Sequence, residues 1–530
     1  MKKSIFTIVA VLGIGTSFLF AQNGALDLTF SSNATGCFNP VSEAIMAHIV
    51  LDDNSILCAS YDKNPFNNLY QGSISKFTAE GNYELSFGPN ADGSVQIADI
   101  NNLFLSNLAV GNDGSIFSCS FDALNATGGR IDKLTPGGLP VLSFGVNGVL
   151  ELPDFAPDSL INGMGIIEID NQDRILVTIG VTLTASNTST TCLARLLPDG
   201  SPDVTFGNAG FYFLPFPNCR IAQIIESDNS IILAGSVITG TGSTAVFSTY
   251  CLKINSSGQL ITSFGSNGIT ELSPGIYKRC TAANLMPNGS IALLYYFPVG
   301  QLYNTSITLL NGDGSINTGY ANNGTFTLNI GASTLAIAED MDVLPDGSIL
   351  AAGYTIYSAN TAPGRNVLLF KLNPSGTLDT GFGLDGVINE DYAGGDDAYA
   401  NIAFQSDYKL ILTGNWSFQD FVQSPSDALT SSLCRRNLAF SDPTGILSQT
   451  INTPLLFPNP INSGDQQLHF KNLEADASVQ IMTCDGRILG EYDLYAGQKT
   501  LALAQTLATG MYLIKISSNG KSETQKLMVR

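Results

Sequence analysis

Apolar and polar residues along this chain fall into short runs, each cut within a few positions by turn-forming residues. Around residue 350, apolar-rich runs cover Leu335 to Val343, Ser348 to Tyr354 and Asn366 to Leu372, and a fourth follows Gly386. Hairpin dipeptides recur between such runs at Asn147-Gly148, Asn267-Gly268, Asn323-Gly324 and Asp385-Gly386. These pairs tolerate the positive φ angles of two-residue hairpin turns. Long helical periodicity is scarce. The pattern predicts an all-β protein built from many short strands.

The runs repeat. A turn glycine is followed six residues later by an aromatic in the phrase GxLDxSFG. The glycines are Gly24, Gly81, Gly138, Gly200, Gly258, Gly314 and Gly376; the aromatics are Phe30, Phe87, Phe144, Phe206, Phe264, Tyr320 and Phe382. Gly445 opens the phrase an eighth time without its ending, and the glycine spacings are 57, 57, 62, 58, 56, 62 and 69. A polar turn running into an apolar strand lies between these anchors, as in Asp346-Gly347-Ser348-Ile349-Leu350. Its first apolar residue is Ile56, Ile116, Ile175, Ile231, Ile291, Ile349 or Leu410, and an apolar residue, from Val50 to Phe404, stands six positions earlier.

Four strands per unit fit a propeller blade. The chain enters the repeat part-way through, at Gly24 to Phe30, and leaves it part-way through, at Gly445-Ile446-Leu447. Its first segment supplies what the last unit lacks, which predicts a seven-bladed β-propeller closed by the N-terminal strand. Closure removes free sheet edges. An open solenoid, the alternative, would need polar caps. The repeated aromatic is expected to plug the core rather than to stack on a ligand.

The ends differ in character. Lys2 and Lys3 precede an apolar stretch from Ile5 to Phe20, and small Ala21 before Gln22 marks a cleavage point. Residues 1–21 therefore read as a secretory signal peptide, too short for a comfortable membrane span. The propeller is expected over 22–450, with a linker at about 446–456 inside a boundary to a second domain at 451–530. That domain alternates as a small antiparallel β-sandwich, with Val479 to Met482 before the turn Asp485-Gly486-Arg487 and Leu507 to Ile514 after it.

Composition narrows the partners. The net charge is −21, from 24 Lys and Arg against 45 Asp and Glu, which argues against nucleic acid and anionic membranes. No further long apolar run predicts an integral segment, and a monomer is expected. Nine cysteines show no CxxC pair or zinc spacing. Several, such as Cys58, Cys119, Cys192 and Cys251, sit in strand-like runs and read as small buried hydrophobes.

The paired phrases resemble the delta-60 repeat of exported bacterial propeller proteins, over about Gly24 to Leu447. The match is best at Leu378 to Gly383 and Asp203 to Gly207; Tyr320, Val141 and Ile261 depart from it. The resemblance implies a fold and no reaction. At the other end, Pro458-Asn459-Pro460, Gly486 of the DGR turn, Gly510 and Tyr512 of the LxxGxYLIKI strand, and Lys526 resemble a type A sorting domain of the type IX secretion system. That resemblance implies handling by the type IX machinery, removal of the domain, and a secreted or outer-cell-surface location.

Catalytic candidates are few. His48 and His469 are the two histidines; His48 lies near core Val50 and reads as structural. No triad, P-loop, dinucleotide fingerprint or HExxH is present. Glu168 and Asp342 share one repeat position, seven before Ile175 and Ile349, where the other units carry Ile49, Ala109, Ile224, Asn284 and Ala403. Carboxylates there would line a central channel, where they could do acid–base work or hold a structural divalent cation. Asp385, Glu390, Asp391, Asp396 and Asp397 read as a solvated loop. The long last interval holds Tyr408, Trp416, Phe418 and Phe421, a candidate contact surface. The expectation is a non-enzymatic binding or adhesion module for glycan or protein. The alternatives are a carboxylate-dependent carbohydrate-active enzyme and a structural surface-layer component.

Overall fold

The computed structural model describes residues 23–438 apart from 32–35, 39–43, 64–69, 98–102, 123–126, 153–158, 185–187, 228–229, 241–243, 274, 301, 332–333, 358–364, 391–396 and 417–429. Within 455–529 it describes the strands and parts of their connections. The chain folds as two units, residues 1–439 and 440–530.

The first unit contains seven four-stranded antiparallel sheets. Blades 1 to 6 span residues 44–97, 103–152, 159–213, 219–272, 279–327 and 334–390, each with its strands paired in chain order. Blade 7 takes three strands from 401–436 and its fourth, Cys37–Phe38, from the other end of the chain. The first strand of each blade touches the first strand of the next, and that of blade 7 touches that of blade 1. The ring is closed around its innermost strands.

Both faces of a blade are covered by its neighbours. The middle strands therefore bury most of their residues, as in Ser230–Thr239 and Val246–Asn255, while the short outer strands stay partly exposed. The apolar clusters accordingly lie between blades. One joins Phe117, Cys119 and Phe144 of blade 2 to Ile161, Ile167 and Val177 of blade 3. Another joins Ile411 and Leu433 of blade 7 to Ile45, Ile56 and Cys58 of blade 1, with Phe30 between them.

Closure is reinforced covalently. Cys37 pairs with Cys434 and Phe38 with Leu433, and a disulfide links the two cysteines across 397 residues. Arg436 is buried against the same closing segment: its guanidinium donates to the Gly24 carbonyl at 2.6 Å and to Glu390 Oε2 at 2.7 Å. Glu390, expected in a solvated loop, instead holds the Arg436 guanidinium that also binds the Gly24 carbonyl. Cys58, Cys119, Cys192, Cys219, Cys251 and Cys280 are buried free thiols.

The second unit holds a three-stranded sheet (Leu455–Phe457, Gln467–Lys471, Thr500–Ala502) and a four-stranded one, ordered Ile488–Leu494, Ala477–Thr483, Gly510–Ser518, Lys521–Val529. Leu468 and Leu501 of the first sheet share one core with Val479, Ile481, Ile514 and Leu527 of the second.

Candidate functional site

The repeated phrase is architecture. The seven aromatics are at most 3% exposed. In blade 3 the Asp203 carboxylate accepts the Thr205 amide and hydroxyl and pairs with Arg195 at 2.8 Å, which holds the guanidinium 4.4 Å over the Phe206 ring. Asp27, Thr29, Arg435 and Phe30 repeat that arrangement at the ring closure. Where the aspartate is missing, at Val141, Lys133 lies 5.9 Å over Phe144 without it. These groups are committed to the blades.

Every first strand from blade 1 to blade 6 carries a β-bulge three residues before the position shared by Glu168 and Asp342. Bulges re-aim side chains. Here each one lies just before the end of an innermost strand. Glu168, Asn284 and Asp342 stand opposite Leu176, Ala292 and Leu350 in their blades. In blade 4 the residue at this position is Ile225, opposite Ile232, and not the Ile224 that sequence spacing assigns. The cause is a hairpin one residue shorter, with Ser227 paired to Ser230. The slip puts Glu226 where other blades carry an apolar residue.

Glu168, Glu226, Asn284 and Asp342 consequently line one cavity of about 400 Å³ at the hairpin end of blades 3 to 6. Burial, reinforced by the charge of Glu226, lifts the Glu168 carboxyl to about 7. Burial lifts Asp342 to about 6, although its Oδ1 accepts the Val343 amide at 2.7 Å. Deeper in blade 6, burial raises Asp340 to about 7 while its oxygens accept the Ile402 and Met341 amides. Carboxyls raised this far keep protons up to about pH 6–7 and, while protonated, can donate hydrogen bonds. Among the described residues, no three His, Cys, Asp or Glu side chains come together in a way that could hold a metal ion.

The opposite end of blades 4 to 6 has a different chemistry. Here the first strands begin and the second strands end. Tyr277 lies 5.2 Å from Phe247, 6.2 Å from Tyr296 and 5.8 Å from Tyr303, ring centroid to centroid. Tyr296 and Tyr303 meet edge to face at 5.4 Å. The Arg279 guanidinium lies 5.4 Å from the Phe247 ring and 5.7 Å from Tyr296; Arg365 lies 4.7 Å over Tyr354. Tyr296 is buried, and Phe247, Tyr277, Arg279, Tyr303, Tyr354 and Arg365 are half-buried. Ile276 and Val299 beside them are 59% and 52% exposed. Burial raises the Glu339 carboxyl although Arg279 and Arg365 both favour its charge. Sequence reasoning missed this rim. Its one periodic signal is Arg220 and Arg279, which hold the same place in neighbouring blades, opposite Ser236 and Tyr296.

The remaining candidates are structural or lie elsewhere. His48 Nδ1 shares a hydrogen bond with Thr413 Oγ1 at 2.9 Å, and burial lowers the ring's pKa to about 4. Tyr408 occupies a hairpin with φ 61°. Trp416 ends the strand Leu410–Trp416, and Phe418 and Phe421 fall outside the described residues. So do Ala21, Gln22, Pro458, Asn459, Pro460, Gly486, Asp391 and Asp396. Gly510 opens its strand, Tyr512 is buried in the sandwich core, and Lys526 pairs with Leu513.

Residues 455–530 match the family described as the secretion system C-terminal sorting domain. Residues 173–206 and 344–382 match a β-propeller domain of unknown function, DUF5122, and each match ends on a plug aromatic, Phe206 or Phe382. No curated protein matches the chain. Among solved structures, Drosophila Semaphorin 2a is 7% identical with a TM-score of 0.43, covering 96% of this chain and 99% of that one. The polysaccharide lyase Uly1 is 9% identical with a TM-score of 0.46, over 76% and 91% of the two chains. The β-propeller domain of the Trilobed protease from Pyrococcus furiosus is 8% identical with a TM-score of 0.39, over 76% and 94%. These identities are too low to transfer a function.

Proposed function

We propose that this β-propeller, which carries a secretion system C-terminal sorting domain and is thereby directed to the cell surface or beyond, is a non-enzymatic binding module. Its contact surface is the rim where blades 4 to 6 begin. The observation that carries the reading is the half-exposed set of Phe247, Tyr277, Tyr303 and Tyr354, held rigid by ring contacts and stacked guanidiniums. Aromatic rings with a polar edge and stacked arginines are the groups that concentrate binding energy at contact surfaces. A closed ring fixes them at little entropic cost, because the blades and not the ligand hold them in place.

The test is retention of the full exported chain on immobilised glycans and matrix proteins, compared with Tyr277→Ala and Tyr303→Ala. Loss of saturable binding in both variants, with unchanged thermal unfolding of the ring, supports the rim. Binding that survives both substitutions places the contact elsewhere.

A second reading rests on the opposite cavity. Glu168, Glu226 and Asp342 share it, and two of the three carboxyls titrate near neutrality. This is the environment a carbohydrate-active acid–base pair needs. That reading predicts new reducing ends from a polysaccharide, lost in Glu168→Gln and Asp342→Asn.

A further inference from the structure

We infer that the face opposite the aromatic rim docks on a lipid surface with zwitterionic headgroups. An arc of apolar turn tips on blades 7, 1, 2 and 3 enters that surface.

The repeat places the tips. In every phrase the plug aromatic donates its amide to the carbonyl three residues earlier, from Phe30 on Asp27 to Phe382 on Asp379, at 2.9–3.0 Å. The residue after that carbonyl is the first corner of the turn, and it is exposed in all seven phrases. Blades 4, 5 and 6 carry Thr262, Thr318 and Thr380 there, so the turn itself needs no apolar group. The phrases that serve blades 7, 1, 2 and 3 carry Leu28, Leu85, Leu142 and Val204, between 60% and 75% exposed. Blade 2 adds exposed Leu139 and Val146. Ile316 on blade 5 and Leu384 on blade 6 are exposed too, but from other places in the phrase, and Leu384 adjoins Asp385. Large apolar groups held in water on four consecutive blades mark a contact surface.

The spacing selects the partner. The tips stand one to a blade, and polar Thr29, Ser86, Ser143 and Thr205 follow them directly. A stable protein partner needs about 800 Å² of surface on each side, with an apolar core. Single side chains at blade intervals do not supply it. A second copy would also set a net charge of −21 against −21, which repels. A fluid lipid layer closes round each tip separately. Equivalent turns of a closed ring lie on one circle, so a flat layer meets all four together.

Charge selects the headgroup. Residues 24–31, 78–93, 135–148 and 197–210, which form these phrases, hold six acids and no lysine or arginine. The hairpins nearer the channel add Asp52, Asp53, Asp113, Asp170, Asp173 and Asp407 against Arg174 and Lys409. Lys76, Lys133, Arg195 and Arg435 lie further back, in the third strands. Anionic lipid is therefore repelled, whereas the outward cations of choline headgroups complement the acids behind the tips. Residues 135–148 carry no charge at all, so blade 2 enters deepest.

This face is the one that holds the carboxylates: Thr205 of the blade 3 turn and Glu226 line a common cavity. Docking through it turns the aromatic rim outward. The inference stands whether or not the rim binds a ligand.

The test floats the full exported chain with vesicles of phosphatidylcholine, alone or mixed with phosphatidylglycerol, at physiological ionic strength. Binding to phosphatidylcholine is expected, no tighter when phosphatidylglycerol is added. Leu142→Ser should weaken it about fivefold to tenfold, the loss of most of one leucine's burial. Leu85→Ser combined with Val204→Ser should weaken it at least as much, and Thr318→Ser on the other arc should not. Unchanged thermal unfolding checks that the variants keep the ring. An environment-sensitive dye on Leu142→Cys should shift to the blue on vesicles, and on Thr318→Cys it should not. No binding to phosphatidylcholine overturns the inference. Binding that requires phosphatidylglycerol overturns it as electrostatic attraction, and binding that the leucine and valine variants retain in full places the contact elsewhere. A dimer that forms without vesicle binding and dissolves in Leu142→Ser gives the face to a second copy, which overturns it as well.

Discussion

Gly24 rests on the ring of Phe382, so the first residues of the propeller seal the last of its complete blades. A Cβ on Gly24 would lie 2.7 Å from Phe382 Cε2, closer than packed carbons approach. The same relation runs round the ring: Gly81 on Phe30, Gly138 on Phe87, Gly200 on Phe144, Gly258 on Phe206, Gly314 on Phe264 and Gly376 on Tyr320. Each glycine also has a positive φ, between 74° and 90°. The glycine and aromatic of one phrase therefore act on different neighbours. The phrase is a clasp between blades.

The clasp makes a graded prediction. Gly258→Ala meets both the backbone of Gly207 and the Phe206 ring, whereas Gly289, at φ 80°, has open space around it. Gly289→Ala is expected to cost about 1–2 kcal/mol from backbone strain alone. Gly258→Ala is expected to cost clearly more, and Phe206→Ala about 3–5 kcal/mol. Denaturant titration of the three variants checks the order.

The disulfide gives a second expectation. Cutting a link across 397 residues frees a very large loop in the unfolded chain. Reduction, or Cys37→Ser, should lower stability by about 2–5 kcal/mol. Peptide mapping without reductant should recover Cys37 joined to Cys434. The buried free thiols, whose ionisation burial opposes, should resist alkylation until the ring unfolds.

Stability should also depend on pH with two opposite signs. Glu168, Asp340 and Asp342 have folded pKa values of about 7, 7 and 6, above those of the unfolded chain. The folded state holds their protons more tightly, so their contribution is lost as pH rises from about 4 towards 7. Glu168→Gln should remove part of that slope and raise stability at pH 8 by about 1–3 kcal/mol. His48 runs the other way. Its folded pKa is lowered to about 4, so stability is lost as pH falls from about 6.5 to 4. Asp203 adds to the acid limb: burial pushes its pKa up, but hydrogen bonds from Thr205 and the Arg195 charge outweigh burial and hold it low. Thermal melts from pH 3 to 9, with His48→Gln and Glu168→Gln, separate the limbs.

The blades were legible because seven copies of one phrase make the pattern of turns and apolar runs unmistakable. Closure by the first segment was legible from the phrase being split between Gly24 and Gly445. The slip at Glu226 was not, because a single missing turn residue between Ser227 and Ser230 leaves the apolar pattern intact on both sides. The Cys37–Cys434 link was hidden by a closing strand of two residues, too short to carry a periodicity. The aromatic rim was hidden because its rings come from three blades, at positions where the repeat has no common residue. Only the paired Arg220 and Arg279 left a trace.

Ligand is expected to bind at the rim without being turned over. The most direct test incubates the full chain with a polysaccharide panel and scores retained ligand and new reducing ends in the same samples. Saturable retention without new ends is expected, with retention lost in Tyr277→Ala while Glu168→Gln behaves as the unmodified protein. New ends that vanish in Glu168→Gln and persist in Tyr277→Ala would contradict it and move the chemistry to the carboxylate cavity.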